Sequence, residues 1–168
     1  DGTDEFVERA RNSDQTVFVA CNMRFHPPVV QIQEWLDAGE IGPLQFFRLR
    51  YGNDLRNWRS TDYRDSYSAN AAEGGGIILD VIHEIDLALH WMRDVEYVSS
   101  TVAQVSDLEI DIEDTAEIIL EGDRMMAEVH LDCIRPERAR TYELIGRDGM
   151  IRWEARGKNP ELSTLTLH

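Results

Sequence analysis

The stretch that most limits what this chain can become is Gly74-Gly75-Gly76-Ile77-Ile78-Leu79-Asp80-Val81-Ile82-His83-Glu84-Ile85-Asp86-Leu87-Ala88-Leu89-His90-Trp91-Met92. Three glycines feed a long apolar run without proline, which predicts a loop turning sharply into a buried helix. At about 100° per residue, Asp80, His83, Leu87 and His90 fall within about one quarter of such a helix, while Ile78, Leu79, Ile82, Ile85 and Leu89 spread over much of the rest. A helix this apolar is expected to be buried on most sides, so its polar face must meet either hydrogen-bonding partners or a cavity. Two readings of Asp80 and His83 follow. In one, backbone groups or each other satisfy them. In the other they line a pocket, with His83 as a proton acceptor near neutrality and Asp80 holding the ring or a substrate hydroxyl. The glycines favour the pocket, because residues without Cβ let a backbone or a ligand approach the helix start and its free amides.

Before this run, residues 3–12 predict a short helix, and Thr16–Cys21 a strand apolar on both faces, as for a parallel strand between layers. Neither has a preceding element to pack on, and the start Asp1-Gly2-Thr3-Asp4 reads as cut from something larger. Pro27-Pro28 ends the strand and opens a helix whose stripe Val29, Val30, Ile32, Gln33, Trp35, Leu36 stops at Ala38-Gly39. A strand is expected over Leu44–Tyr51, followed by a loop from Gly52 to Glu73 without periodicity, in which Trp58, Tyr63 and Tyr67 interleave with Arg56, Arg59 and Arg64. Aromatics alternating with arginine suit a clamp on a polar ligand, or a surface loop pinned by its rings.

Past the central helix the pattern becomes a meander: Tyr97–Val105, Thr115–Leu120, Met125–Asp132, Arg140–Ile145 and Met150–Trp153, separated by turn signals such as Glu121-Gly122-Asp123 and Asp148-Gly149. The stretch Gly157-Lys158-Asn159-Pro160 reads as loose. The expected fold is therefore α+β: an open, mainly antiparallel sheet with helices packed on one face. Its other face, expected to carry Val102, Ile118 and Leu131, is predicted to join copies of the chain.

The 168 residues carry a formal charge of −15, which excludes a nucleic-acid or anionic-membrane surface built on clustered Lys and Arg. Cys21 and Cys133 make neither a metal-ligand spacing nor a disulfide framework and read as thiols of a cytoplasmic protein. No apolar run reaches membrane-spanning length.

Several segments together resemble the C-terminal half of the glucose-fructose oxidoreductase, inositol dehydrogenase and rhizopine catabolism protein family (Gfo/Idh/MocA). They are Asn22-Met23-Arg24-Phe25-His26-Pro27, Leu36-Asp37-Ala38-Gly39-Glu40-Ile41-Gly42, Asp62-Tyr63-Arg64-Asp65-Ser66-Tyr67-Ser68 and Gly74 through Asp86, in the family's order and spacing. The resemblance implies that residues 1–26 are the last helix and strand of a truncated Rossmann dinucleotide-binding domain, and residues 27–168 an α/β substrate-binding and oligomerisation domain. It implies an NAD(P)-dependent dehydrogenase of a sugar, inositol or nucleotide sugar, with His83 accepting the hydroxyl proton and Asp80 binding the hydroxyl or orienting the ring. Arg24 matches a position near substrate or nicotinamide, and Tyr63 and Trp58 are substrate-binding candidates from the loop. The phosphate turn G-x-G-x-x-G and the Glu-Lys-Pro segment with the family's lysine are absent from this sequence. Glycines 74–76 lack the motif's spacing, so no cofactor-binding residue and no bound NAD or NADP are expected here. The implied partners are a sugar or polyol and, through the open sheet, further copies in a homodimer or tetramer. A non-catalytic oligomerisation or sugar-binding module is the alternative, marked by whether Asp80 and His83 share a cavity with Arg24 and the 52–73 loop. A metal-dependent lyase or isomerase using Asp80, His83 and His90 is disfavoured, because His83 and His90, two turns apart on one helix face, are too far apart for a single ion without further ligands.

Overall fold

The computed structural model describes residues 2–157 and 162–168. Its helices are α1 (Thr3–Arg11), α2 (Pro27–Asp37), α3 (Ile77–Asp80) and α4 (Ile82–Met92). Its strands are β1 (Leu44–Gly52), β2 (Tyr97–Ala103), β3 (Thr115–Gly122), β4 (Met125–Asp132), β5 (Ala139–Gly146), β6 (Met150–Arg156) and β7 (Leu162–Leu167). The strands form one open sheet in the order β2-β3-β4-β1-β5-β6-β7. Only β1 and β4 pair in parallel; the other neighbours are antiparallel.

Strand alternation places Phe47 and Leu49, Ala127, Val129 and Leu131, Tyr142 and Leu144, and Ile151, Trp153 and Ala155 in one buried layer. Helix α4 covers β1 and β4 with Leu87, Ala88, Trp91 and Met92, and α3 lies against β3 and β4. Beneath α4 the aromatic rings meet edge to face, Phe47 to Trp91 at 6.0 Å, Trp91 to Tyr142 at 6.0 Å and Tyr142 to Trp153 at 4.8 Å between centroids. The same chain ties helix to sheet and passes directly under the first turn of α4.

The opposite face of the sheet is charged rather than broadly apolar. Arg48 and Arg50 each reach Glu128 at 2.8 Å, and His130 sits between Glu117 and Asp132. Val102, Ile118 and Leu131, expected on this face, are on the helix side, because their register partners Ala116, Val129 and Ala116 all alternate inward. One apolar row does cross the open face, since Met126, Phe46, Ile145 and Met150 are successive cross-strand neighbours.

Three further expectations change. Residues 16–21 pair with no strand among the described residues, and Phe18 and Val19 are 78% and 83% exposed. A chain segment apolar on both faces needs ladder partners on both sides, and none lies beside it. The expected single central helix is broken at Val81, whose φ of −117° and ψ of 37° separate α3 from α4. Asp80 and His83 therefore do not share one helix face; one ends a turn and the other begins the next helix. Lastly, β7 forms where no strand was expected, while Lys158–Pro160 of the stretch read as loose lie outside the described residues. Among the described residues no helix is long and apolar enough to cross a membrane.

Hydrogen bonding to Asp132 lifts His130 above its ordinary 6.5, burial works against this, and Glu117 adds to it. A proton held more tightly by the folded than by the unfolded chain contributes stability that is complete below that value and is lost as pH rises through the higher folded value. The difference in urea-unfolding free energy between wild type and His130→Gln is therefore predicted to be widest below about pH 6.5 and to shrink as the pH is raised. A difference that stays constant from about pH 6 to pH 9 contradicts this assignment.

Candidate active site

Between the end of β1, the loop after it and the junction of α3 with α4 lies a cavity of about 340 Å³, lined by Tyr51, Asn53, Trp58, Arg59, Tyr67, Asp80, Val81, His83 and Arg140. Its outer wall is the loop without sequence periodicity. That loop is a chain of four single 3-10 turns, each started by a polar side chain that accepts from the amide two residues on: Asp54 from Arg56, Asp62 from Arg64, Ser66 from Ser68 and Asn70 from Ala72. Asp54-Leu55-Arg56 and Asp62-Tyr63-Arg64 repeat one device, in which the carboxylate also accepts from the guanidinium. The Arg64 contact pulls the Asp62 carboxyl down to about 2. Arg56 and Arg64 thus serve the fold of the loop, and of its arginines only Arg59 lines the cavity. The Trp58 indole donates to the Asn53 carbonyl at 2.7 Å, which fixes the ring as a wall.

The floor is a buried ion pair. Glu84, one residue beyond His83 and fully buried, accepts from Arg140 Nε at 2.6 Å and from the Tyr142 hydroxyl at 2.9 Å through the same oxygen, Oε1. Burial opposes the charge on Arg140, yet Glu84 keeps it above its ordinary value, so the guanidinium stays protonated. Burial also pushes Tyr142 well above the ordinary tyrosine value, so its hydroxyl remains a donor. Arg140 lies 4.7 Å over the Tyr51 ring.

Asp80 and His83 meet this cavity from the two sides of the Val81 break. Among the described residues the Asp80 carboxylate makes no hydrogen bond or ion pair, and His83 Nδ1, sealed from solvent, has no hydrogen-bond partner. No hydrogen bond or ion pair joins the two residues among the described ones. Of the two occupants expected at the glycines before them, a backbone or a ligand, Gly75 meets the backbone. A Cβ on Gly75 would come within 2.3 Å of the Tyr67 carbonyl, and one on Gly76 within 2.5 Å of Glu113 Oε1. Glu113 also takes the first helical amides, Ile77 through its carbonyl at 3.3 Å and Ile78 through its carboxylate at 3.2 Å. The helix start is capped by the protein itself, and Gly75 and Gly76 admit neighbouring parts of the chain.

Of the candidates from sequence, Asp80, His83 and Trp58 come together at the cavity. Arg24 and Tyr63 do not line it. Arg24 grips Asp86 through two bonds of 2.8 and 2.6 Å and borders an apolar groove with Phe18, Val19 and Phe25. The Tyr63 hydroxyl accepts from the Glu109 amide at 3.3 Å. Tyr51, Asn53 and Arg140 were not singled out by sequence, and neither was Glu84 beneath them; the one available signal was an ionisable residue in an apolar helix directly after His83. A larger open groove of about 770 Å³ beside α1 shares no residue with this cavity. Among the described residues no three His, Cys, Asp or Glu side chains are placed to hold a metal ion.

Residues 29–152 match the family model of the GFO/IDH/MocA C-terminal domain. No curated protein matches the chain. Among solved structures, an inositol dehydrogenase homolog from Azotobacter vinelandii, complexed with NAD+, superposes with a TM-score of 0.75 at 13% identity over 98% of this chain and 48% of its own. An oxidoreductase from Agrobacterium radiobacter, in complex with NAD+, L-tartaric acid and magnesium, gives 0.73 at 22% identity over 96% and 49%. The WlbA dehydrogenase from Bordetella pertussis, with NADH and UDP-GlcNAcA, gives 0.65 at 16% over 86% and 44%. The likeness at these identities is one of fold, and the chain spans about half the length of the structures it matches.

Gly75→Ala is predicted to lower the unfolding free energy by about 1–3 kcal/mol, because the new methyl meets backbone that cannot yield. Urea denaturation checks this, and a loss under about 0.5 kcal/mol would show that the 66–70 turn has room to shift.

Proposed function

Given that the chain belongs to the GFO/IDH/MocA C-terminal domain family, we propose that it is the substrate half of an NAD(P)-dependent dehydrogenase acting on a hydroxyl-bearing carbon of a sugar, inositol or nucleotide sugar. Residues 1–26 then belong to a dinucleotide-binding domain, and 27–168 bind substrate. The observation that carries this reading is that an acid and an imidazole, Asp80 and His83, line one cavity, the part-exposed Asp80 carboxylate having no hydrogen bond or ion pair among the described residues. A carboxylate and an imidazole left without partners at a cavity wall are free to take up a substrate hydroxyl. His83 accepts the hydroxyl proton, and Asp80 hydrogen-bonds the same or a neighbouring hydroxyl. Tyr51, Trp58 and Tyr67 offer apolar ring faces, and the Asn53 side chain offers a donor and an acceptor. NAD or NADP supplies the hydride acceptor. The helix start after the glycines does not fit a dinucleotide phosphate: Glu113 lies against Gly76 and takes the amides of Ile77 and Ile78. The cofactor is therefore assigned to the dinucleotide-binding domain, within which the exposed Phe18, Val19 and Phe25 would be covered. The NAD+ or NADH in the Azotobacter, Agrobacterium and Bordetella structures supports this cofactor. The apolar row Met126–Phe46–Ile145–Met150, set among paired charges on the open face, supports homo-oligomerisation there.

His83→Ala in the full-length enzyme is predicted to lower kcat by about two to four orders of magnitude; unchanged turnover removes the ring from proton transfer. Residues 1–168 alone are predicted to show no NAD or NADP binding in a calorimetric titration, and binding at about micromolar Kd would contradict the division into domains. Phe46→Asp is predicted to reduce the mass seen by light scattering to that of a monomer. A wild type that is already monomeric at about micromolar concentration would overturn the oligomer assignment.

A further inference from the structure

Two guanidinium groups and a single carboxylate line the cavity, in a chain whose formal charge is −15. Elsewhere its arginines are largely neutralised by close carboxylates: Arg24 by Asp86, Arg48 and Arg50 by Glu128, Arg56 by Asp54, and Arg64 by Asp62 and Glu109. Arg59 differs. Its Nη1 donates to the Ser66 hydroxyl at 2.8 Å and its guanidinium stacks 4.7 Å from the Tyr67 ring, but, unlike the arginines just named, it pairs with no carboxylate among the described residues. Hydroxyl and ring hold the group in place without cancelling its charge.

Arg140 is spent on one edge only. Nε goes to Glu84, Nη1 has only the Met23 sulfur at 3.4 Å, a weak acceptor, and Nη2 makes no hydrogen bond. Glu84 from below and the Tyr51 ring on one face fix the plane of the guanidinium, leaving terminal donors on a residue that lines the cavity. A planar donor group held rigid by its own partners suits an oxyanion, and its hydrogen bonds to one are charge-assisted.

We propose that the substrate carries an oxyanion, a carboxylate or a phosphate, bound by Arg59 and Arg140 while its hydroxyl meets Asp80 and His83. The inference rests on the proposed dehydrogenase reading for the place of the site, and it narrows the substrate from sugars at large to acidic ones, such as sugar acids or sugar phosphates. A neutral sugar can accept from these donors through its hydroxyls but leaves two positive charges uncompensated, whereas an oxyanion meets them with charge-assisted hydrogen bonds.

The test is calorimetric binding and initial-rate oxidation by the full-length protein of D-glucose, D-glucuronate and D-glucose 6-phosphate, in wild type and Arg59→Gln. Arg140→Met risks misfolding because it strands Glu84, so the exposed loop residue carries the test, with Arg140→Lys as a second variant. At least one acidic ligand is expected to bind about ten-fold or more tightly than glucose, with Arg59→Gln and Arg140→Lys each lowering the acid-to-neutral ratio several-fold. Whether glucuronate or the phosphate shows the preference identifies the oxyanion. Equal affinity for glucose and both acids, an acid preference that Arg59→Gln leaves undiminished, or no binding of any of the three overturns the inference. An acid preference that depends on Arg59, with no oxidation of any ligand, leaves the inference standing and sinks the dehydrogenase reading. Oxidation of glucose, glucuronate and glucose 6-phosphate with equal kcat/KM does the reverse.

Discussion

The carboxylate of Glu84, buried between helix α4 and the sheet, is the constraint on which the site depends. It joins the first turn of α4 to two adjacent inward positions of β5, Arg140 and Tyr142, through a single oxygen. Losing one partner of a buried charged pair typically costs about 3–5 kcal/mol, so the helix has little freedom to rotate or slide on the sheet. Tyr142 is locked in turn between the rings of Trp91 and Trp153. With α4 pinned in this way, the residue preceding Glu84 has one direction left to it, and His83 faces the cavity. The same contact aims the Arg140 guanidinium at that cavity, so the floor of the site and the packing of the domain are one interaction.

The walls are set by local means. The Val81 break lets Asp80 end a short turn while His83 starts a helix, so an acid and an imidazole enter the same space from different elements. Glu113 caps that turn, and the tight approach of Gly75 to the 66–70 backbone brings the aromatic loop over the cavity. The loop needs no periodic structure because each of its four turns carries its own side-chain cap, and its segment from Asn53 to Leu55 is bonded to the chain after β4. Rigid walls of this kind suit recognition of a substrate with several hydroxyls, in which each group must find a partner at a fixed place.

The strands were legible wherever alternation and turn residues agreed; β4 spans the residues its pattern indicated. What the pattern left undecided was which face of the meander the helices would take, and Ile118 and Leu131 went to the core because the helix layer covers the more apolar side. The break at Val81 carries no proline or glycine to announce it, and residues 16–21 show that strand-forming composition alone makes no strand without neighbours. At the site, Asp80, His83 and Trp58 were visible as polar or aromatic residues out of keeping with their surroundings. Arg140 and Glu84 were not, since their meaning lies in a contact between residues 56 apart that no local pattern encodes.

The most direct measurement of the whole account is a crystal structure of the full-length protein with NAD and D-glucuronate. The account predicts the sugar ring in the cavity between Trp58 and the Val81 break, one hydroxyl within about 2.6–3.2 Å of a His83 ring nitrogen, and the nicotinamide of the neighbouring domain beside the same carbon. A well-occupied sugar bound elsewhere, or a His83 ring that stays out of reach of every hydroxyl with both ligands in place, would contradict it.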